Sequence, residues 1–234
     1  MTASQTSPWW HPDRHADRRP ALLARARIEA RVRGWLAERD FLVVDPPGLQ
    51  RSPGNEAHLH AFGTQMIGND GVGQGMYLHT SPEFTMKKLL AAGETRIASL
   101  QHVWRNRERS AQHHPEFTML EWYRADAPYE AIIADTLAII RLAAEVTGIR
   151  QFEFRRRICD PLAEAERISV AEAFERFAGI DLLATMDEDG VPEDAALAEQ
   201  MLGAGMALPE DQRWSYLFTH VLVEKVEPEL GNGR

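Results

Sequence analysis

Apolar residues recur at helical spacing over the first third of the chain, alternate with polar ones across its middle, and return to helical spacing towards the end. Between Ala21 and Asp40, Ile28, Val32, Trp35 and Leu36 fall on one stripe and arginines fill the rest, which predicts an amphipathic helix. Phe41-Leu42-Val43-Val44 follows as a short strand, stopped by Pro46-Pro47 because proline cannot donate to a sheet ladder. A second strand is expected around Leu59 to Thr64. Gly68, Gly71, Gly73 and Gly75 then mark a turn region, a hairpin or a mobile loop, and no Gly-Lys-Ser/Thr follows to make it a phosphate loop. Met76-Tyr77-Leu78 reads as a strand that leads into a helix with Ser81 as N-cap, Pro82 at the first helical position and Glu83 facing the dipole, running to about Ala92 and ending at Gly93.

The later elements are simpler. Arg96 to Trp104 and Phe117 to Tyr123 predict an antiparallel strand pair. Tyr129 to Thr147 predicts a long helix with Ile133, Leu137, Ile140 and Ala144 inward and Gly148 at its end. Ser169-Val170-Ala171-Glu172 is a capping box for a further helix that carries Phe174 and Phe177 inward. Helices over Glu193 to Leu202 and from about Asp211, the last burying Trp214, Phe218, Val221 and Leu222, complete the pattern. Strands mixed with helices in this order give an α+β fold, an antiparallel sheet flanked by helices with a helical insertion.

The stretch from Arg105 to Tyr123 departs from plain amphipathic patterning. Its opening loop, dense in Arg and Glu, could be a solvated turn, or its arginines could clamp phosphates through bidentate hydrogen bonds. On the strand that follows, alternation puts Phe117, Met119, Glu121 and Tyr123 on one face and Thr118, Leu120 and Trp122 on the other. A carboxylate between aromatics on a face that otherwise looks inward needs a partner, because an unpaired buried charge is costly. That partner is either a structural arginine or a cationic ligand. Glu83 has two readings of the same kind: it stabilises a helix start, or it points into a cleft. His113 and His114 are adjacent and lack a carboxylate at ligand spacing, which argues against zinc.

Composition narrows the classes. A length of 234 residues with 44% hydrophobic residues supports one sizeable domain, and a formal charge of −9 argues against holding nucleic acid by general electrostatic attraction, while leaving room for a local basic patch. One cysteine, Cys159, rules out an intrachain disulfide framework and fits a reducing compartment. No apolar run approaches the roughly eighteen residues of a membrane span, and the N-terminus lacks the apolar core of a secretory signal. The expected location is cytoplasmic, with residues 1–20 forming a loosely ordered arm that docks through Trp9 and Trp10.

Three stretches carry a resemblance: Thr80-Ser81-Pro82-Glu83-Phe84-Thr85-Met86-Lys87, then Arg105-Asn106, then His113-His114-Pro115-Glu116-Phe117-Thr118-Met119-Leu120-Glu121-Trp122-Tyr123. Together they resemble the catalytic domain of class II lysyl-tRNA synthetases, and most closely the stand-alone paralogue family, the elongation factor P lysine ligases. The helix, strand and proline unit that ends at Pro47 resembles the family's first motif, which forms a dimer interface. Glu227-Pro228-Glu229-Leu230-Gly231 resembles the paralogue as well. About twenty residues precede the first helix in this sequence, so the OB-fold that reads an anticodon in the synthetases is not expected. The expected organisation is the arm over 1–20, a class II catalytic core with motifs 1 and 2 over 21–168, and a helical insertion with the start of a C-terminal catalytic segment over 169–234.

The resemblance implies roles. ATP and a lysine-type amino acid, (R)-β-lysine by preference, would give an aminoacyl-adenylate, and the aminoacyl group would pass to a lysine ε-amine of elongation factor P without tRNA. Arg105 would be catalytic, binding the α-phosphate and the substrate carboxylate. Arg105, Asn106, Arg107, Glu108, His113, His114 and Phe117 would form the ATP site, with Phe117 stacked on adenine. Ser81, Pro82, Glu83, Glu121 and Tyr123 would hold the amino acid. Two departures stand out: Arg107 then Glu108 follow Asn106 where the family commonly has a glutamate, and His114 stands where asparagine is usual, still able to donate to a nucleotide. The family's third motif, with an arginine for the γ-phosphate, and the glutamates for Mg2+ and the substrate amine are not found before Arg234. Weak or absent adenylation by this chain alone is therefore expected. The rival readings are a tRNA-charging synthetase core and a pseudo-ligase that binds ATP or a partner without chemistry. An unrelated α+β domain would need all three stretches to arise by chance in the right order.

Overall fold

In the computed structural model of the protein, which describes residues 8–154 and 156–233, the first helix starts earlier than its apolar spacing predicts. Helix α1 spans Pro12–Ala37, with Pro12 in the first turn, where its missing N–H is harmless, and Asp13 facing the dipole. Trp9 to Leu23 are all exposed, so this half of the helix has no apolar stripe by which to be recognised. Trp9 and Trp10 do not dock: they are 60% and 65% exposed and pack edge to face on each other. Val32, Trp35 and Leu36, on the predicted stripe, are buried.

Two compact units follow from the chain's contacts, Met1–Thr147 and Gly148–Arg234. In the first, strand β1 (Leu42–Val43) runs parallel to β5 (Arg96–Trp104), and β5 pairs antiparallel with β6 (Glu116–Arg124) from Arg96 opposite Arg124 to Trp104 opposite Glu116. The strand pair expected around the Arg105 loop is thus present. Helix α1 and helix α3 (Tyr129–Thr147) close the core on one side, where Val32, Trp35, Leu36, Phe41, Ala98 and Leu142 cluster with Leu120 and Trp122 against them. The inward face of β6 is therefore the one carrying Leu120 and Trp122, not the one carrying Glu121. Arg124, at the end of β6, donates two hydrogen bonds to Asp135 of α3, at 2.6 and 2.9 Å, in a nearly buried ion pair.

A second sheet, in the order β2–β4–β3, lies in the same unit. Strand β2 is Leu49–Gln50; β3 is Phe62–Ile67, a few residues beyond the expected strand; β4 is Gly73–Leu78, so Gly73 and Gly75 are strand residues and the hairpin reading is the right one. The turn is narrower than the glycine spacing suggests. Gly71 takes φ +77°, and Asp70 Oδ1 accepts from Val72 N at 3.0 Å. Helix α2 (Glu83–Ala91) follows β4 through buried His79 and Thr80. His79 Nε2 lies 3.0 Å from the His102 carbonyl, which only accepts, so this nitrogen carries the proton and ties the link to β5.

The second unit opens with a hairpin that the apolar pattern did not announce, β7 (Phe152–Phe154) with β8 (Arg157–Cys159), and so begins ahead of Ser169. Gly233 N donates to Ile158 O at 2.8 Å, bringing the chain back beside β8. Helix α4 (Val170–Ala178) has the full capping box at Ser169 and Glu172 and ends at Gly179 with φ +69°. Helices α5 (Asp194–Gly203) and α6 (Trp214–Val221) pack with it around Phe174, Ile180, Leu197, Met201, Leu217 and Val221. Leu217 and Val221 are fully buried, whereas Phe177, Trp214, Phe218 and Leu222 are only partly so. Phe218 stacks between Phe174 and Trp214, with ring centroids 4.9 and 5.1 Å away.

Candidate active site

The outward face of β6 and the start of α2 meet at one carboxylate. Ser81 Oγ donates to Glu121 Oε1 at 2.5 Å, and Tyr123 Oη donates to Glu121 Oε2 at 2.9 Å. The partner that Glu121 requires is thus a pair of hydroxyls rather than an arginine. Two neutral donors leave its negative charge in place. Ser81 does further work: its Oγ accepts from Glu83 N at 3.0 Å, satisfying a donor of the first turn. Pro82 occupies the N-cap position, so α2 begins at Glu83, one residue after the expected start. Burial, then the charge of Glu121 and its hydrogen bond, then the charge of Glu83, push the Tyr123 phenol well above its ordinary value of 10.0. Tyr123 therefore remains a donor at neutral pH. Ser81, Glu83, Glu121 and Tyr123, read from sequence as one binding set, are brought together.

Arg105 joins this cluster to a cleft. Its Nε donates to Thr80 O at 3.3 Å, and its guanidinium lies 5.4 Å from the centre of the Phe117 ring. Beyond it opens a cleft of about 820 Å³, lined among others by Arg105, Arg107, Glu108, Arg109, His113, His114 and Phe117. Three arginines against one glutamate make it an anion-attracting cleft in an otherwise acidic protein. Arg107 sits at φ +64°, a conformation that costs a non-glycine residue of order 1–3 kcal/mol. Asn106 supports it: Asn106 Oδ1 accepts from Arg107 N at 2.9 Å, and Asn106 N donates to His60 O at 2.6 Å. Asn106 accordingly shapes the loop and is not among the residues that line the cleft. The rest of the loop is tied by Ser110, whose Oγ lies 2.8 Å from His113 Nδ1.

His114 Nδ1 lies 2.8 Å from Glu116 O, an acceptor, and 3.3 Å from Glu116 N, a donor, so both contacts tie the ring to the start of β6 and neither one fixes its tautomer. Sequence reasoning missed His58 and Leu59, which line the cleft from the segment before β3, and Arg109, Ser110 and Gln112 within the loop. The loop residues were legible as neighbours of Arg105 in sequence. His58 and Leu59 were not, because only the His60 to Asn106 bridge brings their segment across. Among the described residues no three His, Cys, Asp or Glu side chains converge as a metal set.

A carboxylate held by two hydroxyls thus lies beside an arginine-lined cleft at the antiparallel pair of β5 and β6. The sequence pattern of the tRNA synthetases class II (D, K and N) matches residues 6–216, and the chain belongs to this family. The chain is 37% identical over 211 residues to a protein of Erwinia tasmaniensis named elongation factor P–(R)-β-lysine ligase, covering 90% of this chain and 58% of the relative. Proteins of the same name from Vibrio cholerae and Haemophilus ducreyi are each 33% identical, over 212 and 234 residues, covering 90% and 99% of this chain and 59% and 63% of theirs. The chain thus spans about 60% of the length of these relatives.

Proposed function

We propose that this chain carries the amino-acid pocket and nucleotide clamp of an ATP-dependent ligase that activates (R)-β-lysine, or lysine, and transfers it to a lysine ε-amine of elongation factor P without tRNA. The observation that carries the reading is Glu121: a carboxylate fixed by Ser81 and Tyr123 hydroxyls, still charged, and joined through Thr80 to the guanidinium of Arg105. The names of the relatives supply the substrate and acceptor. In this reading Glu121 and Glu83 receive the ammonium groups of the amino acid, and Ser81 shapes the pocket for a shifted amine. Arg105 holds the substrate carboxylate against the α-phosphate. A carboxylate oxygen attacks the α-phosphorus, the bond to the β-phosphate oxygen breaks, and pyrophosphate leaves as the adenylate forms. Arg107, Glu108, His113, His114 and Phe117 hold the nucleotide, and magnesium accompanies ATP. The acceptor amine then displaces AMP from the aminoacyl carbon.

The same reading places the protein in the cytoplasm as a homodimer, through the unit formed by α1, β1 and Pro46-Pro47. No helix among the described residues is long and apolar enough to cross a membrane. The test has two stages. Calorimetry of the 234-residue protein with (R)-β-lysine and with a non-hydrolysable lysyl-adenylate analogue should show binding of both, the analogue the tighter; binding of neither overturns the reading. Mass spectrometry of elongation factor P after incubation with ATP, (R)-β-lysine and the protein then measures transfer. Charging of lysine tRNA in a parallel reaction would mark a synthetase core instead, and binding without mass gain on the target lysine would mark a pseudo-ligase.

A further inference from the structure

Between β4 and α2 lies a histidine for which the chemistry above has no task. His79 is 1% exposed, and it is bonded to three separate positions. Its N–H donates to Gly48 O at 2.8 Å, its carbonyl accepts from Trp104 N at 3.0 Å, and Nε2 donates to His102 O at 3.0 Å. Nδ1 is buried and has no partner among the described residues. An unmatched buried acceptor is costly, and a leucine at this position would pack without that cost, so the gain lies in the bond that Nε2 makes. That bond sits beside Thr80. Thr80 N and Oγ1 both donate to Pro53 O, at 3.3 and 3.0 Å, and the Thr80 carbonyl accepts from Arg105 Nε at 3.3 Å. The consecutive residues His79 and Thr80 therefore meet the consecutive residues Trp104 and Arg105, one pair backbone to backbone and the other carbonyl to guanidinium. Among the described residues this is the only hydrogen bond of the Arg105 guanidinium, so the anchored Nε aims two Nη groups that remain for a ligand. The fit around His79 is close: a Cβ on Gly48 would meet the Trp104 ring at 3.0 Å and lie 3.7 Å from His79 Nε2.

We propose that His79 is a positioning residue for Arg105: its Nε2–H, held on His102 O, sets the Thr80 carbonyl and through it the direction of the guanidinium fork. The inference rests on the reading of Arg105 as the group that holds the substrate carboxylate against the α-phosphate, and deepens it by naming what aims that group. A His79 that only filled the core would support every ligand of the site equally, because its loss would loosen the fold as a whole. A His79 that aims Arg105 matters only to ligands that Arg105 touches.

His79→Leu and His79→Gln separate these roles, since the first removes the donor and the second can return an N–H to His102 O. Calorimetry of each full chain with a non-hydrolysable lysyl-adenylate analogue and with cadaverine is the measurement, with a thermal melt to confirm folding. The analogue carries the groups that Arg105 would hold, whereas cadaverine carries two ammonium groups and neither carboxylate nor phosphate. His79→Leu is expected to weaken the analogue roughly tenfold and leave cadaverine within about twofold of the parent, and His79→Gln to recover the analogue to within about threefold. Equal losses for both ligands, an analogue unaffected by His79→Leu, or no recovery in a folded His79→Gln overturns the positioning role while leaving the pocket reading intact. Should His79→Leu not fold, Gly48→Ala decides, because its methyl presses on Trp104 and shifts the same link. It should weaken the analogue about threefold with cadaverine unchanged, and an analogue bound as tightly as by the parent overturns the role. If the parent binds neither ligand, the pocket reading itself falls and this inference with it.

Discussion

Strand β6 presents charge on both faces and treats it in opposite ways. On the face towards α1 and α3, Leu120 and Trp122 enter the core, and the charge of Arg124 is closed off by two hydrogen bonds to Asp135. On the other face, Glu121 is oriented by Ser81 and Tyr123 but left without a bonded cation. Both carboxylates are fixed in place. Only one is neutralised. A charge matched by its fork-shaped partner belongs to the architecture, whereas a charge held only by neutral donors is oriented without being matched. Geometry of this kind separates structure from function better than burial does, since a buried ion pair is weak evidence for either.

The comparison can be broken by substitution, and the largest effect is expected on the closed face. Asp135→Asn leaves the Arg124 guanidinium, whose side chain is 13% exposed, without its carboxylate, and should lower stability by about 3–5 kcal/mol in urea unfolding. Lysine affinity of the remaining folded protein should not move. Glu121→Gln should invert that outcome, costing lysine affinity by about 1.5–3 kcal/mol in calorimetry while the urea midpoint shifts by no more than about 1 kcal/mol. A large stability loss from Glu121→Gln would place Glu121 with the architecture and remove the contrast. Tyr123→Phe removes one donor to Glu121 and should weaken lysine binding by about 1 kcal/mol.

The smallest effect is one of pH. Because burial raises the Tyr123 pKa above its ordinary value of 10.0, the folded protein holds this proton where the unfolded chain has lost it. Its contribution to stability is therefore complete below about pH 10 and declines as pH rises further. An absorbance titration of the parent against Tyr123→Phe should show no ionisation of Tyr123 from pH 6 to 9. A phenolate signal in that range would mean that Tyr123 cannot be the donor to Glu121 at neutral pH.

Elements with a strong local period were legible. The strands β5 and β6, the bounds of helix α3 and the capping box at Ser169 lie where alternation, helical spacing and side-chain chemistry put them. The face of α3 was misassigned: Ile140 is exposed, and Leu142 with Ala138 and Ile139 meets the core. Elements without a burial signal were not. The first half of α1 is exposed on every side, so no stripe marks it, and β3, apart from Phe62, lies exposed with its start displaced from the expected run. The hairpin of β7 and β8 is short and exposed as well, and escaped for the same reason. Last-helix burial was expected of Trp214, Phe218, Val221 and Leu222; Val221 does reach the centre, but Leu217 joins it there while the rings stack at its edge.

At the site, strand alternation marked Glu121 and Tyr123 as neighbours on one face, and the resemblance to the synthetases added Ser81, Glu83 and Arg105; the contacts among them were not readable from the chain. That His58 and Leu59 line the cleft was decided by the return of the segment 53–60 against Thr80 and Asn106, and Asn106 in turn props Arg107. Periodicity and capping act over a few residues, so the chain alone determined its helices, its strand pair and the chemical kinds of group at its centre. Which carboxylate is closed by an arginine and which stays open depends on contacts between distant segments, and only the tertiary structure chose Asp135 for the one and Glu121 for the other.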